Sequence, residues 1–272
     1  MKPVSLQRMS EPHLTIAREG PVVIVTMNRP EARNAMDMEM LARMADAWDM
    51  IDGDPEVRVA ILTGAAGHFS SGSDLKAMAN AAYGGEWAKR FEQDGDLHWK
   101  SLLRHYRLKK PLIAAVEGTC VAGGTEILQA TDIRIGAEGA KFGITEARWG
   151  LFPLGGSTVR LRRQIPYCRA MEMLLTARPI GAREALEIGL IGRVVPDGKA
   201  LETARELAAA IADNGPIAVQ AIKRSVLATE GLPEKEALAL ELEIGQQVFA
   251  SQDAKEGPAA FAAKRKPVWK GQ

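Results

Sequence analysis

Residues 111–128 read PLIAAVEGTCVAGGTEIL, and the order of their patterns decides the architecture. Pro111 to Val116 is an apolar run of strand length that ends in a glycine-containing turn at Gly118. Gly123 and Gly124 follow, and Glu126 to Ala130 reads as a short helix. A strand, a glycine-bearing turn and a helix, in that order, build sheets covered by helices. The same order extends outward. His13–Ala17 and Val22–Met27 are two β-type runs split by the turn signal Arg18-Glu19-Gly20-Pro21. In Asp37–Ile51 the residues Met40, Leu41, Met44, Ala47, Trp48 and Ile51 recur at helical spacing, with Asp37 as N-cap. Val57–Leu62 reads as a strand, followed by the loop Thr63–Asp74. Leu97–Leu108 reads as a helix and Ile133–Ile135 as a strand. The expected class is α/β, with a parallel or mixed sheet.

Three regions are expected: a loose tail at residues 1–11, an α/β core over 12–198, and a helical region over 199–272. Leu201–Ala212, Pro216–Thr229 and Pro233–Ala250 carry apolar faces. Gly215-Pro216 and Gly231-Leu232-Pro233 separate them, each proline at a first-turn position. Such an appendage serves either oligomerisation or the covering of its own core.

The chain has 272 residues, 35 Lys+Arg against 34 Asp+Glu, 46% hydrophobic and 25% charged residues. That composition is ordinary for a globular chain and far from a disordered one. A formal net charge of +1 argues against nucleic acid or an anionic membrane as main partner. Cys120 and Cys168 are too few for a disulfide framework or a Cys-rich zinc site, which suggests a reducing, cytoplasmic setting. No stretch approaches 18 uninterrupted apolar residues, and the N-terminus lacks a signal-like run.

Common signatures are missing. The segment Gly118 to Gly123 has the wrong spacing for a dinucleotide fold, and no GxxxxGK[ST] loop or GxSxG elbow occurs. His98 and His105 would share one side of a helix two turns apart, too far for common metal ligation.

Two loops and two glutamates remain. His68 to Lys76 and Glu117 to Glu126 each follow a strand, and glycines let their backbone N–H groups approach a ligand atom. Two such donors on one oxygen make an oxyanion hole, worth about 3–4 kcal/mol per donor. Either loop alone is equally a plain strand-to-helix turn. Glu126 lies at a helix start among small and apolar neighbours, and Glu146 precedes Ala147-Arg148-Trp149. Paired acid/base chemistry suits them. The plainer alternative is a helix-capping Glu126 and a surface Glu146 paired with Arg148.

Taken together, the pattern resembles the crotonase superfamily, in particular its enoyl-CoA hydratases, from about residue 13 to the end. Asn28-Arg29-Pro30-Glu31-Ala32-Arg33-Asn34-Ala35 is similar to the NRPEARNA signature, and Phe69-Ser70-Ser71-Gly72-Ser73-Asp74-Leu75 to the FSAGADL loop. Residues 111–126 are similar to the PxIAAVxG…GGGxE segment, and Phe142-Gly143-Ile144-Thr145-Glu146 to FGxPE. The resemblance implies a spiral of ββα units with a C-terminal helical oligomerisation region. It implies that the N–H groups of Ser73 and Gly123 form the oxyanion hole for a thioester. Glu126 would then be the base on water and Glu146 the proton donor to the α-carbon. Ser71 and Lys76 would meet the CoA nucleotide, and Phe261 and Lys264 would contact CoA across a subunit boundary. Arg265 and Lys266 read equally as a solvated tail.

The implied reaction is water addition across a 2-enoyl-CoA by a homotrimer or homohexamer, with coenzyme A part of the substrate, no separate cofactor and no metal. Double-bond isomerisation is the alternative, and RNA binding through Arg160, Arg162, Arg163 and Lys264–Lys266 a minor one. Three departures bear on substrate and water: Leu154 where a glycine is usual, Ser73 for alanine and Thr145 for proline. Met78, Tyr83, Trp87 and Phe91 occupy the segment that varies in the acyl-pocket wall, though core packing is the expected role for the aromatics.

Overall fold

The computed structural model describes residues 11–79 and 85–272, so residues 1–10 of the expected tail, and Tyr83, lie outside the described residues. In chain order the strands are β1 (Leu14–Glu19), β2 (Val22–Met27), β3 (Val59–Gly64), β4 (Leu112–Val116), β5 (Thr119–Val121), β6 (Ile133–Ala137), β7 (Lys141–Gly143), β8 (Ile180–Gly181) and β9 (Arg193–Val195). A large sheet runs β1-β2-β3-β4-β6-β9, antiparallel only at β1/β2. A small sheet runs β5-β7-β8.

The helices that matter for the site are α1 (Met38–Gly53), α2 (Leu75–Ala79), α3 (Gly85–Gln93), α4 (Leu97–Ser101) and α5 (Gly123–Leu128). They continue with α6 (Ser157–Gln164), α7 (Tyr167–Thr176), α8 (Ala182–Glu187), α9 (Ala200–Ala212), α10 (Pro216–Ala228), α11 (Glu234–Phe249) and α12 (Asp253–Ala262). Each long strand of the core hands over to a short stretch in the small sheet and then to a helix: β4 to β5 to α5, β6 to β7 to α6. After β3 the short stretch shrinks to one bridge, Ser70 to Cys120, before α2. This is the ββα spiral, and it brings the loop after β3 beside the loop after β5.

Strand alternation sorts side chains onto two faces. Ile24, Ile61, Ile113 and Ile135 pack on Ala200, Ala204, Ala208 and Ala212, a row of small side chains along one stripe of α9. Val23, Val25, Leu62 and Leu112 face the other way, toward Met40, Met44, Trp48 and Ile51 of α1. Asp37 caps α1 as its position suggested, accepting the Met40 N–H at 2.9 Å. Trp48 is fully buried and donates its indole N–H to Ser101 O at 2.9 Å, tying α1 to α4.

Several expectations need correction. The helix read over Leu97–Leu108 stops at Ser101. Leu103 takes φ +52, and the carbonyls of Leu103 and Arg104 are claimed by the Arg160 guanidinium instead of by a further turn. His98 and His105 therefore do not share a helix face; His105 Nε2 pairs with Asp96 at 2.7 Å. The C-terminal region holds a fourth helix, α12, beyond the three expected, and it accommodates Pro258 in its interior. Among the described residues no helix is long and apolar enough to cross a membrane.

Candidate active site

The Asn28–Ala35 stretch braces the loop after β3. Asn34 is fully buried at φ +56; its Nδ2 donates to Ala65 O at 3.0 Å and His68 O at 2.7 Å, and its Oδ1 accepts Arg29 N–H. Ser70 Oγ donates to Asn34 O at 2.8 Å, and Ser71 Oγ to Ala32 O at 3.0 Å. Arg29 reaches across to Asp74 at 3.0 Å. The loop after β3 is thus pinned from one side.

From the other side it meets the loop after β5 at van der Waals distance. Gly72 has φ +89, and a Cβ there would lie 2.7 Å from Ala122 Cβ and 3.0 Å from Gly123 N. A Cβ on Gly124 would lie 2.7 Å from Ser70 O. Glycine is therefore required at both positions by close backbone approach. Ala122 is held at φ +50, ψ −127, a conformation that L side chains rarely adopt and that costs about 1–3 kcal/mol. The following residue lies against the loop after β3: a Cβ built on Gly123 would be 3.7 Å from Ser73 N. Among the described residues neither the Ser73 nor the Gly123 N–H finds an acceptor.

Glu126 projects from the first turn of α5 and is 4% exposed. It does not cap its own helix. Its Oε1 accepts the Ser157 N–H at 3.3 Å, and a Cβ on Gly155 would lie 2.6 Å from its Oε2. Burial raises its pKa above the usual carboxylate value, while the Ser157 and Gly155 N–H groups pull it back. Glu146 opens a single 3-10 turn, Glu146–Trp149, and its Oε2 is buried without a partner among the described residues. Arg148 turns away and donates to Ala177 O, so the surface ion pair is not formed. Burial first, and then the charge of Glu126, push Glu146 up to about 7.

Both carboxylates, Ser71, Ser73 and Ala122 line one cavity of about 880 Å³. Its wall carries Met78, Trp87, Phe91, Trp99 and Leu102. Trp87 and Phe91 also pack on α1 and α4, so they serve both core and cavity. His98 lines it too, and burial lowers its pKa below the ordinary histidine value. Leu154 lines the same space beside Gly155.

Residues 17–272 match the family model described as enoyl-CoA hydratase/isomerase. The chain belongs to the enoyl-CoA hydratase/isomerase family. It is 57% identical to enoyl-CoA hydratase EchA19 of Mycobacterium tuberculosis, over 95% of this chain and 96% of that protein. It is 40% identical to the carnitinyl-CoA dehydratase of Salmonella typhimurium, over 97% and 100%. Among solved structures, an enoyl-CoA hydratase from Mycobacterium tuberculosis H37Rv superposes with a TM-score of 0.88 at 41% identity, covering 96% and 100%. One from Bacillus anthracis superposes at 0.87 with 34% identity, covering 96% and 100%.

For this crotonase-family chain the structure brings Ser71, Ser73, Glu126 and Glu146 together around one chamber, with Gly123 beside the cavity-lining Ala122 and against Ser73. It does not bring the rest. Lys76 is exposed on α2 and is not among the cavity-lining residues. Phe261, 87% exposed at the end of α12, and Lys264, at φ +51, are equally outside it. Asn34, Gly155 and His98 were missed as site residues. Asn34 and Gly155 carried a signal, an asparagine inside a quoted motif and a Gly-Gly pair after Leu154; His98 carried none.

Proposed function

We propose that the chain is an enoyl-CoA hydratase that adds water reversibly across the 2,3 double bond of a 2-enoyl-CoA. The observation that carries this reading is a buried Glu126 and a half-buried Glu146 in one chamber with Ser73, whose backbone N–H and that of the adjoining Gly123 find no acceptor among the described residues. The thioester oxygen accepts from Ser73 N–H and Gly123 N–H, which draws electron density from the conjugated double bond. Glu126, ionised, takes a proton from water as the oxygen bonds to the β-carbon. The electron pair moves toward the thioester oxygen, and Glu146 delivers its proton to the α-carbon. Product leaves with Glu126 protonated and Glu146 ionised, and exchange with solvent restores the pair.

Coenzyme A arrives as part of the substrate, and no separate cofactor enters these steps. Ser71, in the loop after β3, and Lys76, exposed on α2, would meet the nucleotide portion. Phe261 and Lys264 complete that site from a neighbouring subunit of a trimer or hexamer, which accounts for their exposure in a single chain. Residues 199–272 form the oligomerisation region, and 12–198 the catalytic core. Light scattering at three or six chain masses checks the assembly. The two cysteines, both free, suit a reducing cytoplasm.

The test is loss of enoyl-thioester absorbance on crotonyl-CoA, run beside a 3-enoyl-CoA. Hydratase turnover on the first with little shift of the second supports the reading. Conversion of the 3-enoyl ester alone makes the protein an isomerase.

The pH profile follows from the two carboxylates. Hydration needs Glu146 protonated, so kcat/KM falls as pH rises through about 7. It falls again in acid as Glu126, raised above 4.5 by burial, takes up a proton. The two limbs belong to the coupled pair. Glu146→Gln is expected to erase the alkaline limb from what activity survives, read by initial rates between pH 5 and 9.

A further inference from the structure

A second cavity of about 310 Å³ lies behind Glu126, between the 102–110 segment, the end of α5, α6 and α10. Five arginines line it: Arg104, Arg107, Arg134, Arg160 and Arg163. Among the described residues only Arg163 has an acidic partner there, Glu230 at 3.1 Å. Asp132 is committed elsewhere, to Lys223 at 2.7 Å and Leu112 N–H at 2.7 Å. The other four have no carboxylate within ion-pair distance among the described residues.

Two of them are anchored by carbonyls with donors left over. Arg160 is 7% exposed; its Nη2 donates to Leu103 O at 2.5 Å and Arg104 O at 2.6 Å, and its buried Nη1 has no partner among the described residues. Arg134 donates from Nη1 to Leu190 O at 3.0 Å, and its buried Nε has no partner among them either. Burying cationic donors without acceptors, with like charges around them, is costly. Burial and then the nearby Arg107 bring the Arg160 value down to about 10. An anion would remove that cost, because planar guanidinium groups match the spacing of oxygens in phosphate and carboxylate groups. The cavity volume is about ten times the share of liquid held by one water, which leaves room for such a group.

We propose that this arginine-lined cavity binds one small oxyanion of the phosphate class, separate from the thioester chamber. The site adjoins that chamber through Arg104, whose Nε donates to Leu154 O at 2.8 Å and whose guanidinium lies 5.2 Å from the Trp99 ring.

Isothermal titration of the full-length protein with inorganic phosphate, against chloride at matched ionic strength, reads the site directly. The expected result is saturable binding of one phosphate per chain, weakened about tenfold by Arg107→Gln and by Arg160→Lys. Arg107 is exposed, so its variant keeps the test open even if the buried Arg160 position does not tolerate lysine. Absence of saturable binding overturns the proposal, and is the outcome expected if a carboxylate from a second copy of the chain occupies the cavity. Binding that survives Arg107→Gln at full strength overturns it as well, because the anion then lies elsewhere.

Discussion

Glu126→Gln and Glu146→Gln are each expected to cut hydration of crotonyl-CoA by about 10³-fold, within the usual range for loss of one positioned acid or base. A glutamine keeps the volume and some of the hydrogen bonding. In Glu126→Gln the amide oxygen would still accept the Ser157 N–H that holds the carboxylate now, so the chamber should keep its shape. The amide cannot take a proton from water, and in Glu146→Gln it cannot give one to carbon. Binding of a non-reacting CoA ester should survive in both variants. Because the two groups act as one unit, the double variant should lose far less than the product of the single losses. Wild-type turnover in either single variant removes that residue from the mechanism.

Gly72→Ala is expected to lower kcat by about 10²–10³-fold, the cost of losing an oxyanion-hole donor. The added methyl would sit 2.7 Å from Ala122 Cβ and 3.0 Å from Gly123 N, with φ at +89. Relief requires the two loops to part, which separates the Ser73 and Gly123 N–H groups. Ser73→Ala is the matched control: the donor is main chain, so activity should stay near wild type. Circular dichroism separates loss of geometry from loss of fold, and a Gly72→Ala protein that folds and turns over at full rate would show that the loop contact does not position the donors.

Much of the core was legible because its physical cause is local. The β2 span Val22–Met27 matches the reading residue for residue, since the five consecutive β-branched side chains from Val22 to Thr26 leave little alternative. The α1 stripe of Met40, Met44, Trp48 and Ile51 and its Asp37 cap were equally plain. The helix after Leu97 was overread for a non-local reason: Arg160, far along the chain, takes the carbonyls that a longer helix would have used. The dual use of Trp87 and Phe91 was hidden because apolar spacing is the same whether a ring fills a core or walls a chamber.

By itself the chain order determined that a strand, a glycine turn and a helix follow one another, and that Glu126 stands at that helix start. The backbone freedom of glycine and the spacing of apolar side chains act over a few residues. Only the tertiary structure decided that Gly72 and Gly123 touch, that Glu126 rests on Gly155 and Ser157, and that Glu146 Oε2 is buried close enough to feel the Glu126 charge. Those facts depend on parallel pairing of strands far apart in the chain, and with them on the electrostatics of a carboxylate pair removed from water. Neither a residue type nor a local spacing encodes the dielectric around a side chain; the packing of the whole spiral does.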